Sequence, residues 1–118
     1  MARFKDSPEQ YLPLRPVEFE ILLTLAAGEG HGYGILRATE ERTRSRLETG
    51  TMYRALRRLV EAGLVEPTER RSPDDFDDER RRYYAMTSRG RAVASAEAAR
   101  LARLVDTARL VHLLPAVE

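Results

Sequence analysis

The chain contains no cysteine and no tryptophan. Without thiols, disulfide staples, thiolate metal sites and cysteine nucleophiles are excluded. Lysine is nearly absent too: of 20 basic residues, all but Lys5 are arginine. No apolar run approaches the roughly 20 residues that a membrane span requires. The opening Met1-Ala2-Arg3-Phe4-Lys5-Asp6 lacks the apolar stretch of a secretory signal. These absences predict a soluble, cytoplasmic protein. Catalytic patterns are missing as well. There is no Ser/His/Asp set, no phosphate-binding glycine loop and no metal-ligand spacing, and the two histidines, His31 and His112, are far apart in sequence. The acids Asp74-Asp75 and Asp77-Asp78 fall in a stretch that reads as a loop, a poor frame for catalytic geometry. Neither enzyme activity nor a cofactor or metal is expected.

What is present is a chain of 118 residues, suited to one domain. Its formal net charge of +1 is silent about partners, but the distribution of charge is not. Between Arg42 and Arg58 stand six arginines and one acid, Glu48. Arginine's planar fork donates in pairs to phosphate and to guanine edges.

The first dozen residues, with Pro8 and Pro13, read as an arm. Pro16 is tolerated in a first helical turn. Val17, Ile21, Leu22, Leu25 and Ala26 then recur at helical spacing, and Gly28 and Gly30 stop that helix. A second helix starts near Gly32-Tyr33-Gly34 and fades around Thr43 to Arg46. His31 beside it reads as a structural turn residue rather than a metal ligand or pH sensor. The third helix is the clearest. Thr49 can cap it, Met52, Leu56, Leu59 and Val60 form its apolar stripe, and Gly63 stands where a stop belongs. Leu64 to Arg71 suggests a strand, Ser72 to Glu79 an acidic loop, and Arg80 to Met86 a returning strand. Thr87 or Ser88 can cap a last helix running to about Leu114, before Pro115. The fold class is therefore mainly α with a small β-hairpin: a winged helix-turn-helix domain plus a long C-terminal dimerisation helix. The divisions are an arm over 1–13, a DNA-binding domain over 14–87 with its wing at about 64–86, and the dimerisation helix over 88–118.

With Met52 at zero on a helical wheel, Arg54 falls near 200°, Arg58 near 240° and Arg57 near 140°. The face opposite the core stripe is thus arginine, with Gly50 and Thr51 at its leading end. Such a helix suits a major groove, and we expect Thr49, Thr51, Tyr53, Arg54, Arg57 and Arg58 to meet DNA. Tyr53 lies at the border of the core stripe, where packing is the stronger reading and a phosphate contact the other. Arg80 and Arg81 on the wing would contact phosphate. The acids of the wing loop resist that picture. Their tip either points away from DNA or pairs with neighbouring arginines until DNA displaces them. On the last helix, Ala94, Ala98, Leu101, Leu104, Val105, Ala108 and Val111 form one apolar stripe. Of these, Leu101, Leu104, Val105, Ala108 and Val111 are expected at a dimer seam, with the first helix and the arm, with Tyr11 and Leu12, adding contacts from the partner.

Four segments, in order, resemble the PadR family of bacterial transcriptional regulators, over roughly Leu14 to Gly90. They are His31-Gly32-Tyr33-Gly34-Ile35, Gly50-Thr51-Met52-Tyr53-Arg54-Ala55-Leu56, Leu59-Val60-Glu61-Ala62-Gly63-Leu64-Val65, and Arg81-Arg82-Tyr83-Tyr84-Ala85-Met86-Thr87-Ser88-Arg89-Gly90. The resemblance implies a homodimeric winged-helix repressor of the short form, binding double-stranded DNA at a near-palindromic operator. It also implies a small-molecule effector in some members, of no fixed identity. The alternative is a winged-helix module for protein–protein contact without DNA binding. An arginine-rich outer face on the third helix favours DNA over that alternative.

Overall fold

The structure, a computed structural model, describes residues 7–71 and 82–117. A 3₁₀ turn at Pro8–Tyr11 leads into α1 (Pro16–Ala26), β1 (Gly30–His31), α2 (Gly32–Thr43), α3 (Thr49–Glu61), β2 (Val65–Arg71), β3 (Arg82–Met86) and α4 (Ser88–Leu110). Pro16 opens α1, where a missing N–H costs nothing, and Glu18 reaches back to accept from the Arg15 backbone N–H at 3.3 Å. Ile21, Leu22 and Leu25 of α1, Ile35 and Leu36 of α2, Met52, Leu56 and Leu59 of α3, and Val93 of α4 share one buried core.

His31 caps α2: its Nδ1 accepts from the Gly34 N–H at 2.9 Å, and its ring meets Tyr83 edge-on, 5.3 Å between centroids. This is the turn role expected of it. α3 begins one residue earlier than a Thr49 cap implies. The first helical bond runs from the Met52 N–H to the Glu48 carbonyl, so Glu48 holds the cap position and Thr49 is already helical. The far end stops where the sequence places the stop. Gly63 takes a left-handed φ of 79°, which lets the N–H groups of Gly63 and Leu64 bond back to Val60 and Leu59.

The sheet has three strands in the order β1-β3-β2, all antiparallel, where the sequence suggested a two-stranded hairpin. β3 is central, with Tyr84 opposite both Gly30 and Pro67. Pro67 cannot donate to a ladder, and β2 is an edge strand where that is tolerated. The ladder is irregular between Pro67 and Arg71, as a bulge would make it.

Thr87 caps α4 by accepting from the Gly90 N–H at 3.0 Å, while its hydroxyl donates to the Gly63 carbonyl at 2.7 Å. One side chain thus joins the end of α3 to the start of α4. Gly90 lies so close to the Leu64 carbonyl that an added β-carbon would collide with it. Gly90, Val93 and Glu97 are the buried residues of α4; from Leu101 to residue 117 none is buried. α4 also ends earlier than expected, at Leu110 instead of about Leu114. His112 turns left-handed (φ 67°), and the N–H groups of His112 and Leu113 fold back to the carbonyls of Arg109 and Ala108. Val111 is therefore the cap residue of α4 and not part of its helical stripe.

Candidate nucleic-acid interface

α3 has two distinct faces. Met52, Tyr53, Ala55, Leu56 and Leu59 are buried. Thr49, Arg54 and Arg57 are exposed, while Gly50, Thr51 and Arg58 are half-buried. The outward face thus gathers five of the six residues expected to meet DNA from this helix. Tyr53 is the exception. It is only 6% exposed, and its ring lies directly against the backbone of Gly32. Tyr53 fastens α3 to the start of α2, and we assign it to the core, not to the contact surface.

The arginines differ in what already holds them. Arg58 Nε donates to Glu18 Oε2 at 2.8 Å, and that carboxylate is mostly buried on α1. The pair fixes α3 against α1. Arg42, at the end of α2, does the same for α1 and α2: its Nε meets Glu20 Oε1 at 2.6 Å, and its Nη2 donates to the Glu20 carbonyl and to Thr24 Oγ1, each at 2.9 Å. Two of the six arginines between residues 42 and 58 are therefore fasteners between helices. Arg54 is more open, with 61% of its side chain exposed and Glu48 and Thr51 near its tip. Glu18 and Glu20 are the functional neighbours that the sequence did not single out. Their signal was present: two acids on a short helix that is otherwise mostly apolar.

On the wing, Arg80 and Arg81 and the acids Asp74 to Glu79 lie outside the described residues. On α4, Leu101 and Ala108 are half-buried, while Leu104, Val105 and Val111 are exposed. Leu110, Leu113, Leu114 and Val117 are exposed as well and extend the apolar surface past the helix end. Tyr11 and Leu12 pack against the core of their own chain. Glu97 is a further residue that the sequence reading passed over. It is 2% exposed, and it accepts from the Leu14 backbone N–H at 3.1 Å and from Arg100 Nε and Nη2 at 2.6 and 2.9 Å. The Arg100 hydrogen bonds hold its carboxyl below the usual carboxylate range, with the Leu14 N–H adding to them against the opposing effect of burial.

No group of three or more potential ligands able to hold a metal occurs among the described residues, and no described helix is long and apolar enough to cross a membrane. A model of the transcriptional regulator PadR-like family matches residues 21–96. The chain is similar to the solved structure of RosR from H. salinarum, with 30% identity and a TM-score of 0.64, over 80% of this chain and 81% of that one. It is also similar in fold to a PadR-like transcriptional regulator from Bacillus cereus, with 22% identity and a TM-score of 0.69, over 86% of this chain and 93% of that one. A PadR family transcription regulator from Clostridium difficile matches with 27% identity and a TM-score of 0.63, over 83% of this chain and 98% of that one. An uncharacterised 37.1 kDa protein in transposon TN4556 of Streptomyces fradiae is 38% identical over 84 residues. Those residues are 71% of this chain but 22% of that protein, so this chain spans only a small part of its length. With a family match running from the core of α1 into α4, and a fold shared with solved PadR-like regulators, the chain belongs to the PadR-like family of transcriptional regulators, a family of regulators and not of enzymes.

Proposed function

We propose that this protein is a sequence-specific DNA-binding repressor that grips a near-palindromic operator as a homodimer. The observation that carries the reading is the outward face of α3, where Thr49, Thr51, Arg54 and Arg57 stand opposite a fully packed core face. A helix so divided enters a major groove with its leading end deepest. Arg54 is the residue for a guanine edge, since its fork matches O6 and N7. Thr49 and Thr51 suit phosphate or a thymine methyl. Arg57 leans away from the groove floor towards phosphate. Arg58, held by Glu18, keeps α3 at its angle and offers the groove wall the rest of its guanidinium. Arg80 and Arg81 of the wing add phosphate contacts, which strengthen binding without reading sequence. The apolar surface of α4 beyond Arg100 seats the second copy, because a monomer rarely leaves such a patch in water.

Selection of bound sequences from random duplex DNA tests the reading directly. The expected product is a pair of inverted half-sites about one helical turn apart, or a multiple of it. Recovery of no preferred sequence, from a protein that is folded and dimeric, would return the fold to the protein-contact alternative.

A further inference from the structure

The leading end of α3 is not uniformly cationic. Glu48 holds its cap position, with 76% of the side chain exposed. It makes no hydrogen bond to a first-turn N–H, the usual role of a side chain there. Its Oε1 instead accepts from Thr51 Oγ1 at 2.9 Å and lies 3.6 Å from Arg54 Nη2. Arg54 Nη2 in turn donates to Thr51 Oγ1 at 3.3 Å, and its Nη1 passes over Gly50, 3.1 Å from where a β-carbon would stand. The guanidinium is thus folded back along the helix towards an acid. A helix N-terminus ordinarily attracts anions through open N–H groups and its dipole. Here an exposed carboxylate already stands at that end, held by Thr51 and Arg54 and not by the N–H groups.

We propose that Glu48 is a specificity-determining residue: its carboxylate disfavours phosphate at the leading end of α3 and selects an amino donor on a base edge. The inference rests on the DNA-reading role of α3 proposed above. An ionised carboxylate only accepts hydrogen bonds, and a guanidinium only donates them. In the major groove the donors are the amino groups of cytosine and adenine, and guanine offers O6 and N7 as acceptors. The Glu48–Thr51–Arg54 group therefore presents an acceptor and a donor fork side by side, complementary to a guanine edge with an amino group next to it. On a sequence lacking that arrangement, Arg54 stays with Glu48 and makes no base contact, and the carboxylate comes near phosphate with no base donor to offset the repulsion. The acid weakens binding everywhere except at the matching site.

The test uses the full chain as wild type, Glu48→Gln and Glu48→Ala. Each is put through selection on random duplexes, then titrated against the selected operator and against a random-sequence duplex at one salt concentration. Neither variant removes a backbone cap bond, so all three should melt alike. Both variants should bind the random duplex roughly tenfold more tightly, from the loss of two like-charge contacts per dimer, reduced by screening. Glu48→Ala should also lose one amino-bearing base from each selected half-site, which Glu48→Gln, still an acceptor, should keep. Unchanged affinity for the random duplex in both variants overturns the proposal, as does an Ala variant that selects the wild-type site with equal stringency. A wild type that selects no sequence at all overturns the role of α3 itself, an outcome distinct from wild type and variants selecting alike.

Discussion

Two arginines one helical turn apart on α3 illustrate how neighbours decide a residue's work. Arg54 is exposed, with Glu48 and Thr51 of its own helix end beside it, whereas Arg58 closes on the mostly buried Glu18. Their alanine variants should separate cleanly. Arg58→Ala leaves the Glu18 carboxylate without its guanidinium and should cost about 1 kcal/mol of folding stability, the partial exposure of Arg58 keeping the figure low. Arg54→Ala should change stability by no more than about 0.5 kcal/mol, yet cost about 2–6 kcal/mol of operator affinity when two half-sites each lose a bidentate contact. Urea denaturation measures the first pair of values and binding titration the last. Equal stability losses in the two variants would undo this division of labour. On the wheel, Arg54 and Arg58 looked nearly equivalent, because spacing reports which face a residue occupies and not which acid from another helix meets it there.

At the scale of elements, what could be read from the sequence was what local pattern encodes. The stripe of Met52, Leu56 and Leu59 marks α3, and Gly63 marks its end, since only a few residue types accept the left-handed turn needed there. β1 carried no such signal. Two residues, Gly30 and His31, have no alternation to display, and their pairing partners Tyr84 and Tyr83 lie more than fifty positions away. Glu97 did leave a trace: it stands midway between Val93 and Leu101 at four-residue spacing, an acid in the line of the core stripe. Such an acid signals a buried bond, and the Leu14 N–H and Arg100 supply it. Because the folded state holds this carboxyl below its unfolded value, its contribution is fully present above the ordinary glutamate range and is lost as pH falls through the folded value. Glu97→Gln should therefore lower stability at neutral pH and flatten the acid limb of a stability–pH curve measured by urea melts. A variant with an undiminished acid limb would place that pH dependence elsewhere. Gly90→Ala acts on the same helix from its other end. It drives a methyl into the Leu64 carbonyl and should cost about 1–3 kcal/mol through forced displacement of α4 from the turn between α3 and β2, visible as a lower urea midpoint.

For the molecule as a whole, the telling asymmetry lies along α4. Its first ten residues hold every buried position, and the remainder carries Leu104, Val105 and Leu110 into solvent. In the proposed dimer this surface is the seam. Light scattering at micromolar concentration should then give twice the chain mass. Leu104 is 55% exposed within its own chain, so Leu104→Asp should yield a folded monomer with an unchanged circular dichroism spectrum. Leu101, half-buried, is a less clean site for the same test, because a charge there would disturb the chain's own packing too. A Leu104→Asp protein that scatters as a dimer would move the seam to another surface. The docking of α4 by its first part alone also makes the helix a lever with its fulcrum near Glu97. From Glu97 to Leu110 the helix runs about 20 Å, so a rotation of about 10° at the fulcrum swings its tip by about 3.5 Å. That swing is close to the rise of a single base-pair step. In the proposed dimer, the stiffness of the Leu14–Glu97–Arg100 joint would then set how much variation in half-site spacing one pair of reading heads tolerates.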